Sequence, residues 1–162
     1  MKPLSIVVVE DDASTRGILC DWLTQEGHRV TSASGGHEAS RVIDGRDIDL
    51  VVTDVIMPEG NGLELIGRLK KSHPGVRVLA ISGGGSETTS ALCLLRAHNA
   101  GAHALLLKPF KPDQLREAMA SLFAAEESAA MASKPSSPKP GRARTARQPA
   151  APERISRSRE LP

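Results

Sequence analysis

Five short runs of branched apolar residues alternate with five stretches in which apolar residues recur every three or four positions. Leu4 to Val9 is a continuous apolar run, the signature of a strand buried on both faces. Ile18, Leu19, Trp22 and Leu23 then share one helical face, and Gly27 ends that helix. Val30 to Ala33 reads as a second strand, and Ala39, Val42 and Ile43 mark a second helix stopped near Gly45. Leu50 to Thr53 is a third strand. Leu63, Leu65, Ile66 and Leu69 mark a third helix, closed by His73-Pro74-Gly75. Val76 to Ile81 and His103 to Leu107 are the last two strands. Between them Ala91, Leu92, Leu94 and Leu95 mark a helix ending at Gly101. Pro112 suits a first helical position, followed by Leu115, Ala118, Met119 and Leu122 at helical spacing. Strictly alternating strands and helices require parallel pairing with crossover helices on both faces. The expected fold is therefore α/β: a doubly wound five-stranded parallel sheet, with its site at the carboxyl ends of the strands.

The pattern stops near Glu127, and two regions are expected: residues 1–126 as the folded domain and 127–162 as a tail. From Met131 to Pro162 there are eight Lys and Arg against Glu153 and Glu160, a net of +6. The whole chain is +2, so residues 1–130 carry −4. Apolar residues larger than Ala are only Met131, Ile155 and Leu161 in that segment, too few to offset the entropy of ordering it, so disorder is expected there. Trp22, Phe110 and Phe123 are the only aromatics, which leaves aliphatic residues to fill the core. Cys20 and Cys93 are far apart and lack Cys-x-x-Cys spacing, so reduced thiols in a cytoplasmic protein are expected. Ile6 to Val9 is too short for a membrane span, and no membrane association is expected.

Four chemically loaded groups fall at strand ends. Strand one ends in Glu10-Asp11-Asp12, strand three in Asp54, strand four in Ser82-Gly83-Gly84-Gly85 and strand five in Lys108-Pro109-Phe110. Each alone has an ordinary use as a cap, turn or loop. Together, at successive strand ends, they point to one site. Clustered carboxylates repel unless a cation joins them, and hard oxygen donors favour Mg²⁺. Glu10, Asp11 and Asp54 are the candidate ligands, with water and a backbone carbonyl completing the shell. Lys108 adds a point charge, and Ser82 and Gly83 offer a hydroxyl and open N–H groups. Such a set would stabilise a phosphoryl group in transit, with Asp54 as nucleophile, because carboxylates form acyl phosphates. The histidines His28, His37, His73, His98 and His103 form no i, i+4 pair, so capping or surface roles are expected of them.

Val8-Val9-Glu10-Asp11-Asp12, Thr53-Asp54-Val55-Ile56-Met57-Pro58, Asn61-Gly62, the Ser82 strand end and Leu107-Lys108-Pro109-Phe110 resemble the receiver domain of bacterial two-component response regulators (CheY-like), over about residues 4 to 125. The resemblance implies a flavodoxin-like strand order of 2-1-3-4-5. It implies that a sensor histidine kinase, or a histidine phosphotransfer protein, donates a phosphoryl group to Asp54. It further implies that Asp11, Asp54 and the Ile56 carbonyl ligate Mg²⁺ directly and that Glu10 acts through water. Ser82 and Lys108 would bind the phosphoryl oxygens, and a downstream protein would dock on the face of the fourth helix, fifth strand and fifth helix. One position departs from the family pattern: three before Lys108, where Tyr or Phe is common, this chain has Leu105. Gly83-Gly84-Gly85-Ser86 is also unusually glycine-rich, and mobility is expected there.

Three functions fit these residues. The first is a stand-alone phosphoacceptor, not an enzyme, because the tail is too short for the usual output domain. The second is a receiver whose basic tail contacts nucleic acid without sequence preference; no aromatics interleave its charges, so base stacking is not expected. The third is an aspartate-nucleophile phosphohydrolase. Those enzymes carry a second Asp two residues after the nucleophile, and Ile56 stands there, which argues against turnover.

Overall fold

A computed structural model of the chain describes residues 2–58, 62–83 and 87–132, with the backbone alone at 87–90 and 125–132. Five strands and five helices alternate: β1 (Ser5–Val9), α1 (Ala13–Gln25), β2 (Arg29–Ala33), α2 (Gly36–Asp44), β3 (Leu50–Asp54), α3 (Gly62–Ser72), β4 (Arg77–Ser82), α4 (Glu87–Ala100), β5 (Ala104–Leu107) and α5 (Pro112–Ala132). All strand pairs are parallel, in the order β2-β1-β3-β4-β5. This is the expected doubly wound order.

Strand alternation explains how the core divides. Val7, Val9, Val51, Val78 and Ala80 face one side, where Ala39 and Ile43 of α2, Leu65, Ile66 and Leu69 of α3 and Ala97 of α4 cover them. Ile6, Val8, Leu50, Val52, Leu79 and Ile81 face the other, covered by Leu19 and Leu23 of α1 and Leu115, Met119 and Leu122 of α5. Each fully buried Val, Leu or Ile contributes about 1.5–3 kcal/mol, so the two layers carry most of the favourable free energy. Cys93 packs against the first layer and Cys20 against the second, with the sheet between them. Both are free thiols.

The helices add detail to the sequence reading. Ile18, expected on the inner face of α1, is half exposed, while Leu19 and Leu23 are buried. On α4, Leu92 and Leu95 are exposed, whereas Leu94 and Ala97 are buried. α5 runs from Pro112 to Ala132. Its end is rich in Ala and Glu, strong helix formers that carry no periodic apolar signal. The segment from 133 onward, including most of the basic tail, lies outside the described residues, as do positions 59–61 and 84–86. Among the described residues no helix is long and apolar enough to cross a membrane.

Two histidines act as backbone caps. The Leu4 N–H donates to His28 Nδ1 at 3.2 Å, and the Val78 N–H donates to His103 Nδ1 at 3.1 Å.

Candidate functional site

The chain enters the sheet at β1, turns one way to β2 and then back to β3. That reversal leaves a crevice beyond the carboxyl ends of β1 and β3, flanked by β4 and β5. Register puts the four loaded strand ends around it. Thr53 lies beside Val9, Asp54 beside Ile81, and Ser82 beside Leu107.

Glu10 and Asp54 are buried there, and Asp11 is exposed at the rim. One carboxylate oxygen from each of the three lies within 4.8 Å of the others. Lys108 Nζ bridges the buried pair, 2.6 Å from Asp54 Oδ2 and 2.7 Å from Glu10 Oε2. Asp54 Oδ1 accepts from the Ile56 N–H at 2.8 Å, so among the described residues each of its oxygens has one donor. The Lys108 N–H donates to the Ser82 carbonyl at 2.8 Å, tying the two strand ends together.

Electrostatics follow from this packing. Burial pushes the Glu10 carboxyl above its ordinary range, against the pull of Lys108. Burial alone would lower the Lys108 ammonium. The hydrogen bonds and charges of Asp54 and Glu10 together outweigh it, and its pKa is raised. One ammonium thus stands among three carboxylates, leaving the pocket short of positive charge.

Hard oxygens in this spacing suit Mg²⁺, whose remaining positions water fills. A second observation supports an anion beside it. Ser82 Oγ is completely buried and, among the described residues, is the buried side-chain atom with no hydrogen-bond partner. An orphaned hydroxyl costs free energy unless a ligand engages it. Gly83 adjoins it, and a Cβ there would collide with the Lys108 side chain. The lysine therefore needs glycine at that position to reach the carboxylates.

All the residues expected at the site except the Ile56 carbonyl group can be placed by their own contacts: Glu10, Asp11, Asp54 and Lys108 converge, and Ser82 adjoins Lys108 through the backbone. Ile56 contributes its N–H to Asp54, and its side chain is 43% exposed. Asp12, in the same acidic run, is a helix cap: the Thr15 N–H donates to its Oδ1 at 2.7 Å. The Thr15 hydroxyl and then its N–H hold the Asp12 carboxyl below its ordinary range. Arg16 was not singled out from the sequence, and Thr53 and Gly62 were quoted there only within motifs, without a role. Arg16 Nη1 donates to the carbonyls of Glu10 and Asp11. Thr53 Oγ1 donates to the Asp54 carbonyl at 2.9 Å. Gly62 lies so close to the Asp54 carbonyl that a Cβ there would overlap it.

The chain has relatives among known proteins. The chain is 36% identical over 116 residues to the DNA-binding transcriptional regulator NtrC of Azospirillum brasilense, covering 71% of this chain and 23% of that one. It is 31% identical over 115 residues to the chemotaxis protein CheY of Thermotoga maritima, covering 70% of this chain and 92% of that one. The crystal structure of NtrX from Brucella abortus superposes with a TM-score of 0.70 at 29% identity, covering 80% of this chain and 29% of that one. The chain thus spans only about a quarter of the NtrC length and most of the CheY length. Residues 6–120 match the response regulator receiver domain, and the chain belongs to that family.

Proposed function

We propose that this domain is a Mg²⁺-dependent phosphoacceptor that takes a phosphoryl group from a histidine kinase, or a histidine phosphotransfer protein, onto Asp54. The observation that carries the reading is the convergence of Glu10, Asp11 and Asp54 with Lys108 at the sheet's switch point. An Asp54 oxygen attacks phosphorus, the P–O bond forms as the P–N bond of the phosphohistidine breaks, and the imidazole nitrogen leaves with the electron pair. Asp54 is held for this by the Ile56 N–H and by the half-buried lysine. Lys108 pairs with the incoming phosphoryl oxygens, and Ser82 Oγ gains the partner it lacks. Asp11, Asp54 and the Ile56 carbonyl would hold the metal, with Glu10 acting through water. The ion supplies charge neutralisation for the phosphoryl oxygens.

The phosphorylated domain would then signal by docking, or pass the group on. The face of α4, β5 and α5 suits docking, because Leu92, Leu95, Leu105 and Leu107 stand exposed on it. Leu105 is 37% exposed three residues before Lys108, where it replaces the usual aromatic gate, so output would run through the chain after Ser82 and through leucine packing. Turnover as a phosphohydrolase is disfavoured by Ile56, which has no proton to give. A nucleic-acid role for the basic tail falls outside the described residues.

Incubation with acetyl phosphate and Mg²⁺ should add one phosphoryl mass to the wild type, none to Asp54→Asn, and none when EDTA is present. Equal labelling of Asp54→Asn would refute the assignment.

A further inference from the structure

Arg16 stands where a cation is ordinarily unfavourable. Asp12 caps α1, and Arg16 lies four residues inside the helix, in the turn that carries the positive end of its dipole. No acidic residue occupies that first turn to offset it. Three carboxylates sit close by, yet among the described residues the Arg16 guanidinium forms an ion pair with none. Its Nη1 donates instead to the Glu10 carbonyl at 2.6 Å and the Asp11 carbonyl at 3.2 Å. These are the peptide groups of the two acidic residues that leave β1. The Glu10 N–H is fixed by the Ala33 carbonyl, and the Asp12 side chain is fixed at the helix start. The carbonyls between those anchors are held by Arg16.

We infer that Arg16 is a positioning residue: it clamps the β1–α1 turn so that the Glu10 and Asp11 carboxylates stay aimed at a shared cation without pairing with its own guanidinium. The inference rests on the metal role proposed above for those carboxylates. Peptide groups freed from the clamp would rotate, and each rotation would carry a ligand side chain away from Asp54. Charge alone has the opposite sign. A guanidinium repels Mg²⁺, so removing it without disturbing the turn would tighten metal binding. The direction of the change therefore separates the two roles.

Mg²⁺ binding to the full chain is measured by isothermal titration calorimetry, together with the melting temperature and the acetyl phosphate labelling rate across Mg²⁺ concentrations. Arg16→Ala should weaken Mg²⁺ binding by about ten-fold, as loss of a residue orienting metal ligands does. Its labelling should recover toward the wild-type rate at saturating Mg²⁺. Affinity unchanged or tighter than wild type overturns the inference, and so does a lower melting temperature with unchanged affinity. If Arg16→Ala does not fold, Arg16→Lys carries the test: it keeps the charge but shortens the reach, so weaker binding supports the clamp and wild-type binding overturns it. Asp11→Asn is the control. Wild-type affinity there would mean that the metal reading itself has failed, whatever Arg16 does.

Discussion

Replacing Lys108 by Met keeps most of the aliphatic stem and removes the ammonium between two buried carboxylates. The Glu10 and Asp54 side chains are 3% and 6% exposed, against 25% for Lys108. Removing one member of a buried ion pair leaves the other charge uncompensated and costs about 3–5 kcal/mol. Water reaches the partly exposed lysine end, so the low end, about 3 kcal/mol, applies. For a domain of this size that is roughly 10 °C of melting temperature at neutral pH in EDTA. The pH dependence has a definite sign. The raised Lys108 pKa contributes stability that is intact below its ordinary 10.5 and lost only as pH climbs through the raised value, so it is present at pH 7. Glu10 is already raised by burial, which favours the fold below its ordinary 4.5 and ceases to as pH rises through the raised value. Without Lys108 two of the pulls holding that pKa down disappear, and it rises further. The variant's deficit should accordingly shrink between pH 7.5 and pH 5. Millimolar Mg²⁺ should also raise its melting temperature more than that of the wild type, because the ion replaces the missing cation. Thermal melts of both proteins at the two pH values, with and without Mg²⁺, provide the assay. An equal deficit at both pH values, unmoved by Mg²⁺, would show that the lysine stem matters and its charge does not.

His103 accepts the Val78 N–H through Nδ1, and burial, with Arg77 and Lys70 nearby, lowers its pKa. A lowered imidazole contributes stability above its ordinary 6.5 and loses it as pH falls through the folded-state value. His103→Gln, which keeps an acceptor but does not titrate, should therefore melt with a flatter profile between pH 8 and 5.5; identical profiles would remove the cap from the account. Once formed, the aspartyl phosphate should persist, because the Ile56 side chain beside Asp54 cannot orient an attacking water. A half-life of seconds in the isolated protein, followed by loss of the phosphoryl mass, would contradict this.

Strand ends were legible because a strand buried on both faces must be apolar throughout, so the first charged residue marks its exit. Glu10 and Asp54 announce themselves in that way, Lys108 closes an apolar run that is exposed on one face, and parallel pairing forces all three to one edge. Ile18 was misplaced, and the covered leucines of α4 were not separable from the exposed ones, because each helix has only one covered side. Where apolar residues exceed that side's width, spacing alone does not say which are covered. Asp12 and Asp11 look alike in sequence, yet one caps α1 and the other stays free, a distinction made only by the backbone turn. Arg16 was missed because a guanidinium that binds carbonyls leaves no partner residue type to search for. Its one sequence signal is a cation in the first turn of a helix.

The two thiols, finally, sit in different layers of the molecule. Cys20 belongs to the side covered by α1 and α5, and Cys93 to the side covered by α2, α3 and α4. Burial holds the Cys20 thiol above its ordinary pKa, which slows its reaction while the layer is closed. Each sulfur is thus a local clock for the opening of its own layer. A molecule that breathes as one unit would expose both at a common rate, whereas a molecule that peels would set the clocks apart and name the side that loosens first.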